Sequence, residues 1–460
     1  LSSSSLLFAG PRSLFQNAQL NFSAYIIPQR ASSVPLSPSS FCDLPLVSPP
    51  PAIPFRMASD DGPQEIAALL LLPPPPAVKF EQFKGAYEPT LSTVFSKLCK
   101  TLNGVNSIAI LDIAISIPGL ISRSSQPRAK IFPSLQRYLA NIYRLIGIVS
   151  AEHSIELDAP GGIDARVIFI DFPTTSAEDR QAPRHGPILD LHSLANSARL
   201  WDWIYYPENK AGQQLATAFD SIYSKNKDPN AGSLHALSNQ PDWPSPRTLI
   251  VPEVKAQSPH YSVAVGGTFD HFHIGHKLLL TATALALEPV EEFDPIPERY
   301  LTVGVTGDAL LKNKKYAEFL ESWDDRCQST SSFLLAIMDF SRPNESAPRI
   351  ERVSQPGPNG HYVLMKVRCG LTLKLVQITD PFGPTITDES IDALVVSAET
   401  RSGGAAVNDE RAKKGWKSLD VFEIDVLHSG EVPTTDGESF ASKISSTDIR
   451  RRRMEMATAQ

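Results

Sequence analysis

The chain has 460 residues, 42% hydrophobic and 20% charged, which is ordinary for a globular protein and enough for two domains. A net charge of −7 gives no electrostatic reason to expect nucleic-acid binding, and no apolar run approaches the roughly 18 residues of a membrane-spanning helix. Cys42, Cys99, Cys327 and Cys369 form no C-x-x-C pair, so they read as reduced thiols of a cytoplasmic protein and not as a disulfide framework or zinc site.

Residues 1–63 are rich in Ser and Pro, with Arg12, Arg30 and Arg56 as their bases, and are expected to be a disordered tail. The first methionine is Met57, so translation from Met57 and a weak transit segment are the other readings. Residues 64–223 alternate in period. Apolar runs at Ile66–Leu72, Ile108–Ile117 and Arg166–Phe172 are separated by helical spacing over Thr90–Leu102 and Leu135–Val149. That alternation predicts a small parallel α/β domain, whose function the residues do not state. Its Gly161-Gly162 pair lacks the spacing of a nucleotide-binding loop. Residues 224–257, punctuated by Pro229, Pro241, Pro244, Pro246 and Pro252, are expected to be a linker.

Residues 258–460 form the second predicted domain. Strands are expected at Ser262–Val265, Tyr300–Thr306, Leu371–Ile378, Ala393–Ser397 and Asp420–Val426, with helices after Ile274, over Ser322–Phe340 and around Ala405–Lys414. Ser341–Gly360 reads as a polar insertion. Five strands interleaved with helices predict a Rossmann-like doubly wound sheet, which takes ligands at the carboxyl ends of its strands.

The centre of that domain is Tyr261–Leu280, Y-S-V-A-V-G-G-T-F-D-H-F-H-I-G-H-K-L-L-L. It runs from strand through a glycine turn into a helix whose first N–H groups lack intrahelical partners and favour phosphate. His273 and His276 share one face there, and Gly275 between them leaves the backbone open. Asp270, His271, His273 and His276 together leave a metal site as a second reading. Four further stretches follow candidate strands. Lys312, Lys314 and Lys315 could hold phosphates or form a solvated face. Asp380, in Asp-Pro-Phe-Gly-Pro, could meet substrate or cap its own turn. Arg401 precedes Gly403-Gly404, and Ser445-Ser446-Thr447 with Arg450 could bind a triphosphate or merely cap a basic helix.

G-G-T-F-D-x-x-H-x-G-H joined to a distal I-S-S-T-x-x-R is the signature pair of the HIGH-type nucleotidyltransferases. With D-P-F-G-P, V-V-S-A-E-T-R-S-G-G and Asn408, the chain resembles the eukaryotic type of phosphopantetheine adenylyltransferase over Tyr261–Arg453. It is similar to the adenylyltransferase part of coenzyme A synthase, but contains no G-x-x-x-x-G-K-[ST], so no kinase step is expected. The resemblance implies transfer of AMP from ATP, with Mg2+, to 4′-phosphopantetheine, giving dephospho-coenzyme A and pyrophosphate. It also implies partner enzymes of coenzyme A synthesis. His276 would then stabilise the pentacovalent α-phosphate and His273 would bind nucleotide phosphates. Thr268 and Lys312 would meet the transferring and acceptor phosphates, with Lys314 or Lys315 as rivals to Lys312 and Asp380 near the acceptor. Gly266, Gly267, Phe269, Gly275, Arg401, Ser445, Ser446, Thr447 and Arg450 would surround the nucleotide, and no protein-held metal is expected.

Two rivals carry different chemistry. Cytidylyltransferases acting on phosphorylated alcohols share G-T-F-D-x-F-H-x-G-H but usually carry R-T-x-G-I-S-T-T, whereas Arg401 here is far from Ser445. A non-catalytic scaffold of a coenzyme A-making complex would be built on the same fold, with the N-terminal domain serving assembly.

Overall fold

The computed structural model describes residues 65–102, 107–121, 127–157, 161–172, 185–197, 199–226, 228–229, 231–244, 258–289, 297–341, 348–367, 370–425 and 445–458. The expected tail lies outside them.

The first sheet has six parallel strands: β1 (Glu65–Leu72), β2 (Ile108–Ser116), β3 (Ile163–Asp171), β4 (Ile188–Asp190), β5 (Trp203–Pro207) and β6 (Ser233–Leu237). Their order is β4-β3-β2-β1-β5-β6. β1 and β2 are almost unbroken apolar runs because helices cover parallel sheets on both faces. The helices are α1 (Phe80–Thr101), α2 (Arg128–Glu152), α3 (Leu191–Ala195) and α4 (Lys210–Asn226). β6 is a correction to the expected linker at 224–257. Its Ser-Leu-His-Ala-Leu is an exposed edge strand with little apolar periodicity, and the chain after it stays docked. Trp243 Nε1 donates to the Pro74 carbonyl at 2.8 Å, and Asn209 Nδ2 donates to that of Pro241 at 2.9 Å.

The second sheet comprises β7 (Ser262–Gly267), β8 (Arg299–Thr306), β9 (Arg349–Ser354), β10 (His361–Lys366), β11 (Leu371–Ile378), β12 (Ala393–Ser397) and β13 (Asp420–Ile424). Its order is β13-β12-β7-β8-β11-β10-β9. The strands from β13 to β11 are parallel, and β10 and β9 add an antiparallel hairpin. β9 corrects the polar insertion expected over Ser341–Gly360: Arg-Ile-Glu-Arg-Val-Ser is charged because it forms the outer edge, where charge discourages further pairing. The helices are α5 (Ile274–Ala286), α6 (Trp323–Met338), α7 (Arg401–Lys413) and α8 (Ser446–Thr458). The strand order reverses between β7 and β12, so their carboxyl ends frame the crevice where a doubly wound sheet binds ligands.

Residues 63–460 form one compact unit. A continuous apolar core runs from Ile66 of β1 to Ile424 of β13, and α2 packs along α5. Each fully buried side chain of α5, such as Leu280 or Leu285, contributes about 1.5–3 kcal/mol of apolar transfer. Polar contacts cross the same boundary. Arg199 donates to Asp112 of β2 and to the Ala336 carbonyl of α6, with its guanidinium 3.8 Å from the centre of the Phe340 ring. Among the described residues no helix is long and apolar enough to cross a membrane.

Candidate active site

β7 ends at Gly266-Gly267, and the chain turns through Thr268 to His273 before α5 begins. Phe269 and His271, at φ 52° and 45°, lie in the left-handed region on either side of Asp270. That is costly for side chains of this size, and it persists because the loop is held from several directions. Asp270 is fully buried. One of its oxygens accepts from the Glu321 amide at 2.9 Å, and the other binds the Arg450 guanidinium. Arg326, also fully buried, donates to the carbonyls of Thr268 and Thr306, both at 2.8 Å, and to Asp308. It ties together the loops after β7 and β8.

His273 is the N-cap of α5, and its Nδ1 accepts from the Gly275 amide at 3.2 Å. The remaining proton of a neutral ring therefore sits on Nε2, which faces Ser446 Oγ at 3.3 Å. Ser446 Oγ in turn donates to the Asp270 carbonyl at 2.7 Å. His276 stacks on His273, with ring centroids 3.8 Å apart and planes inclined by 22°. Its Nδ1 is buried with no hydrogen-bond partner. Burial first, then the neighbouring His271 and Lys277, push the His273 imidazole well below its ordinary range. Burial followed by His273 and His271 does the same to His276. Both residues keep part of their surface exposed and are neutral at neutral pH.

The two distant motifs thus meet at the carboxyl end of the second sheet, though not with every expected residue facing the crevice. Gly266 is exposed, and a Cβ there would make only an ordinary contact with Ile378 Cδ1 at 3.7 Å; Thr268 is part-exposed. A Cβ on Gly267 would meet the Phe269 ring at 2.9 Å, and one on Gly275 would stand 3.0 Å from the His273 ring. These two glycines therefore make room for the protein's own rings. Lys312, Lys314 and Lys315 are exposed at the same mouth, where the Lys315 carbonyl accepts from Arg450 Nε at 3.0 Å.

Phe269, expected beside the nucleotide, is fully buried core. Arg450, expected on phosphate, is 2% exposed and committed to Asp270, Thr447 Oγ1 and the Lys315 carbonyl. Ser445 caps α8, taking the Asp448 amide at 3.2 Å, and Thr447 serves Arg450. Asp380 accepts from the amides of Phe382 and Gly383, both at 2.8 Å, and from Asn359 Nδ2 at 3.0 Å. Its carboxylate is spent on the turn. Arg401 opens α7 at the carboxyl end of β12; it is exposed and paired in two places with Glu423. Arg326 was not singled out by its sequence pattern, and Asp270 only as a candidate metal ligand; their partners reveal the bracing role of both.

Asp270, His271 and Glu321 bring one ligand atom each within 4.8 Å of one another. Both Asp270 oxygens already accept from N–H groups, Glu321 accepts from the His271 amide at 2.8 Å, and His271 Nε2 faces the Phe319 carbonyl at 2.7 Å. A cation there would have to compete with the Arg450 guanidinium, so the donor set fits an internal lock better than a metal centre.

Residues 57–242 match a family model described as a domain of unknown function (DUF8446), and residues 264–452 match one described as cytidylyltransferase-like. Over 270 residues the chain is 33% identical to the uncharacterized protein C1F12.08 of Schizosaccharomyces pombe, covering 58% of this chain and 69% of that one. It is 35% identical to a phosphopantetheine adenylyltransferase of Saccharomyces cerevisiae over 41% of this chain, and spans 47% of that relative's length. It is 30% identical to the phosphopantetheine adenylyltransferase of Thermococcus gammatolerans over 42% of this chain and 90% of the relative. With the glycine turn, stacked histidines and Ser446 in one crevice, these similarities establish that the chain belongs to the phosphopantetheine adenylyltransferase family of nucleotidyltransferases.

Proposed function

We propose that the chain transfers AMP from ATP to 4′-phosphopantetheine, giving dephospho-coenzyme A and pyrophosphate. The observation that carries this is the 3.3 Å approach of His273 Nε2 to Ser446 Oγ, which joins motifs from opposite ends of the second sheet's sequence. The acceptor is a phosphate already ionised at neutral pH, so no general base is needed. The neutral imidazoles suit that task, since they act as hydrogen-bond donors and not as bases. His276 would face the charge growing at the α-phosphate, His273 and Ser446 the flanking phosphate oxygens, and Gly266 and Thr268 the space between. Lys312, or Lys314 or Lys315 beside it, would reach the acceptor phosphate. Arg401 would exchange Glu423 for a phosphate. Asp270 and Asp380, nearby carboxylates, are engaged by protein donors, so Mg2+ would arrive on the oxygens of ATP as part of the substrate.

Pyrophosphate release by the purified protein tests this reading. Release with ATP and 4′-phosphopantetheine, and little with CTP and phosphocholine, is the expected result. The reverse preference would select the cytidylyltransferase reading.

A further inference from the structure

The first sheet reaches the histidine-bearing helix through a buried ion pair that the proposed chemistry leaves unexplained. Lys277 directly follows His276 and is 2% exposed. Its ammonium donates to the carboxylate of Asp164 and, at 3.1 Å, to the carbonyl of Ala165, both on β3. The other oxygen of Asp164 accepts from Arg166, Nε at 3.1 Å and Nη2 at 2.6 Å. Lys277 Nζ also lies 5.9 Å from the centre of the Phe333 ring of α6. Although burial alone works the other way, Lys277 and Arg166 together hold the Asp164 carboxyl well below the usual carboxylate range. A buried ammonium is tolerable only while paired, so this lysine has one place to be.

That place fixes the first turn of α5. The Lys277 amide donates to the His273 carbonyl at 3.1 Å, closing the turn that carries both histidines. Side chains stand about 6 Å from a helix axis, so a rotation of α5 by about 10° would move the rings by roughly 1 Å. A displacement of that size costs about 100-fold where reacting groups must align.

We propose that Asp164 is a positioning residue for adenylyl transfer: through Lys277 it sets the rotation of α5, and so makes the N-terminal sheet a working part of the second sheet's site. This rests on the function proposed above. It gives the domain of unknown function a task, which is to aim the helix that bears His273 and His276.

The test uses the full-length Asp164→Asn variant beside wild type. Turnover is expected to fall about 10- to 100-fold while ATP affinity changes little, because binding draws on several donors and only His276 is aimed at the transition state. Adding Asp164→Asn to Lys277→Met should produce no further loss, as the two act through one contact. Independently of any substrate, the ring NMR resonances of His273 and His276 should shift in Asp164→Asn. Wild-type turnover with unmoved resonances overturns the proposal and leaves the adenylyltransferase reading standing. An inactive wild type with shifted resonances sinks that reading and keeps the positioning contact. Should Asp164→Asn not accumulate folded, Asp164→Leu with Lys277→Met removes the buried ammonium together with its carboxylate and leaves only the part-exposed Arg166 guanidinium without that partner, and wild-type turnover in that folded double variant overturns the proposal.

Discussion

His273 has every polar atom of its ring assigned: Nδ1 takes the Gly275 amide and Nε2 gives to Ser446 Oγ. Two rings stacked at 3.8 Å repel if both are charged, and burial disfavours even one charge. The two imidazoles are therefore neutral in the crevice. A triphosphate reverses the balance, since an anion near a ring favours its protonated form. The pKa of His273 or His276 must then rise on binding, and the complex takes up protons between the depressed value and the ordinary one near 6.5. Titration calorimetry of ATP at about pH 6, repeated in buffers of different ionisation enthalpy, should report net proton uptake and affinity that weakens as pH rises. Proton release would show that the triphosphate does not lie against these rings.

At the level of whole elements, what holds the crevice together is a clasp between a loop and a helix. Asp270 and Arg450, buried and 180 residues apart, fasten α8 to the turn after β7. Removing one partner from such a pair strands a buried charge, at a cost of about 3–5 kcal/mol. Arg450→Ala should therefore lower the urea midpoint by a corresponding amount and expose α8 to proteolysis, and an unchanged midpoint would show that the clasp holds nothing. The strands β1, β2, β3, β7, β8 and β11 were legible as apolar runs between turn residues, and α5 as a helix after a glycine pair. The hairpin of β9 and β10, and β6, were not. Edge strands carry charged or small residues, and their pairing is set by neighbours that periodicity does not see. The clasp was hidden for a similar reason: Arg450 in a run of arginines reads as a phosphate ligand or solvated face until Asp270 is seen opposite it. Asp380 went the other way, since a turn-capping aspartate and a substrate ligand look the same in sequence.

Across the whole molecule, a chain that reads as two domains and a linker is one unit over residues 63–460. Arg199 and Lys277 resemble surface charges in the sequence, yet each is spent on a partner across the boundary, and the backbone amide of Arg128 donates to Glu288 there at 2.9 Å. Burial of such groups depends on which faces the two sheets present, and one-dimensional spacing carries no record of it. The fold thus surrounds one crevice with two sheets' worth of support, which is worthwhile only if geometry at the α-phosphate decides the rate. Following the label from ATP carrying radioactive phosphorus at the α position, in the presence of 4′-phosphopantetheine, tests that claim most directly. Adenylyl transfer puts the label in the thiol product and leaves pyrophosphate unlabelled. His276→Ala, folded as wild type, is expected to form the labelled product at least about 100-fold more slowly, the scale of losing one transition-state donor. Label absent from the product, or appearing at the wild-type rate in His276→Ala, would contradict it.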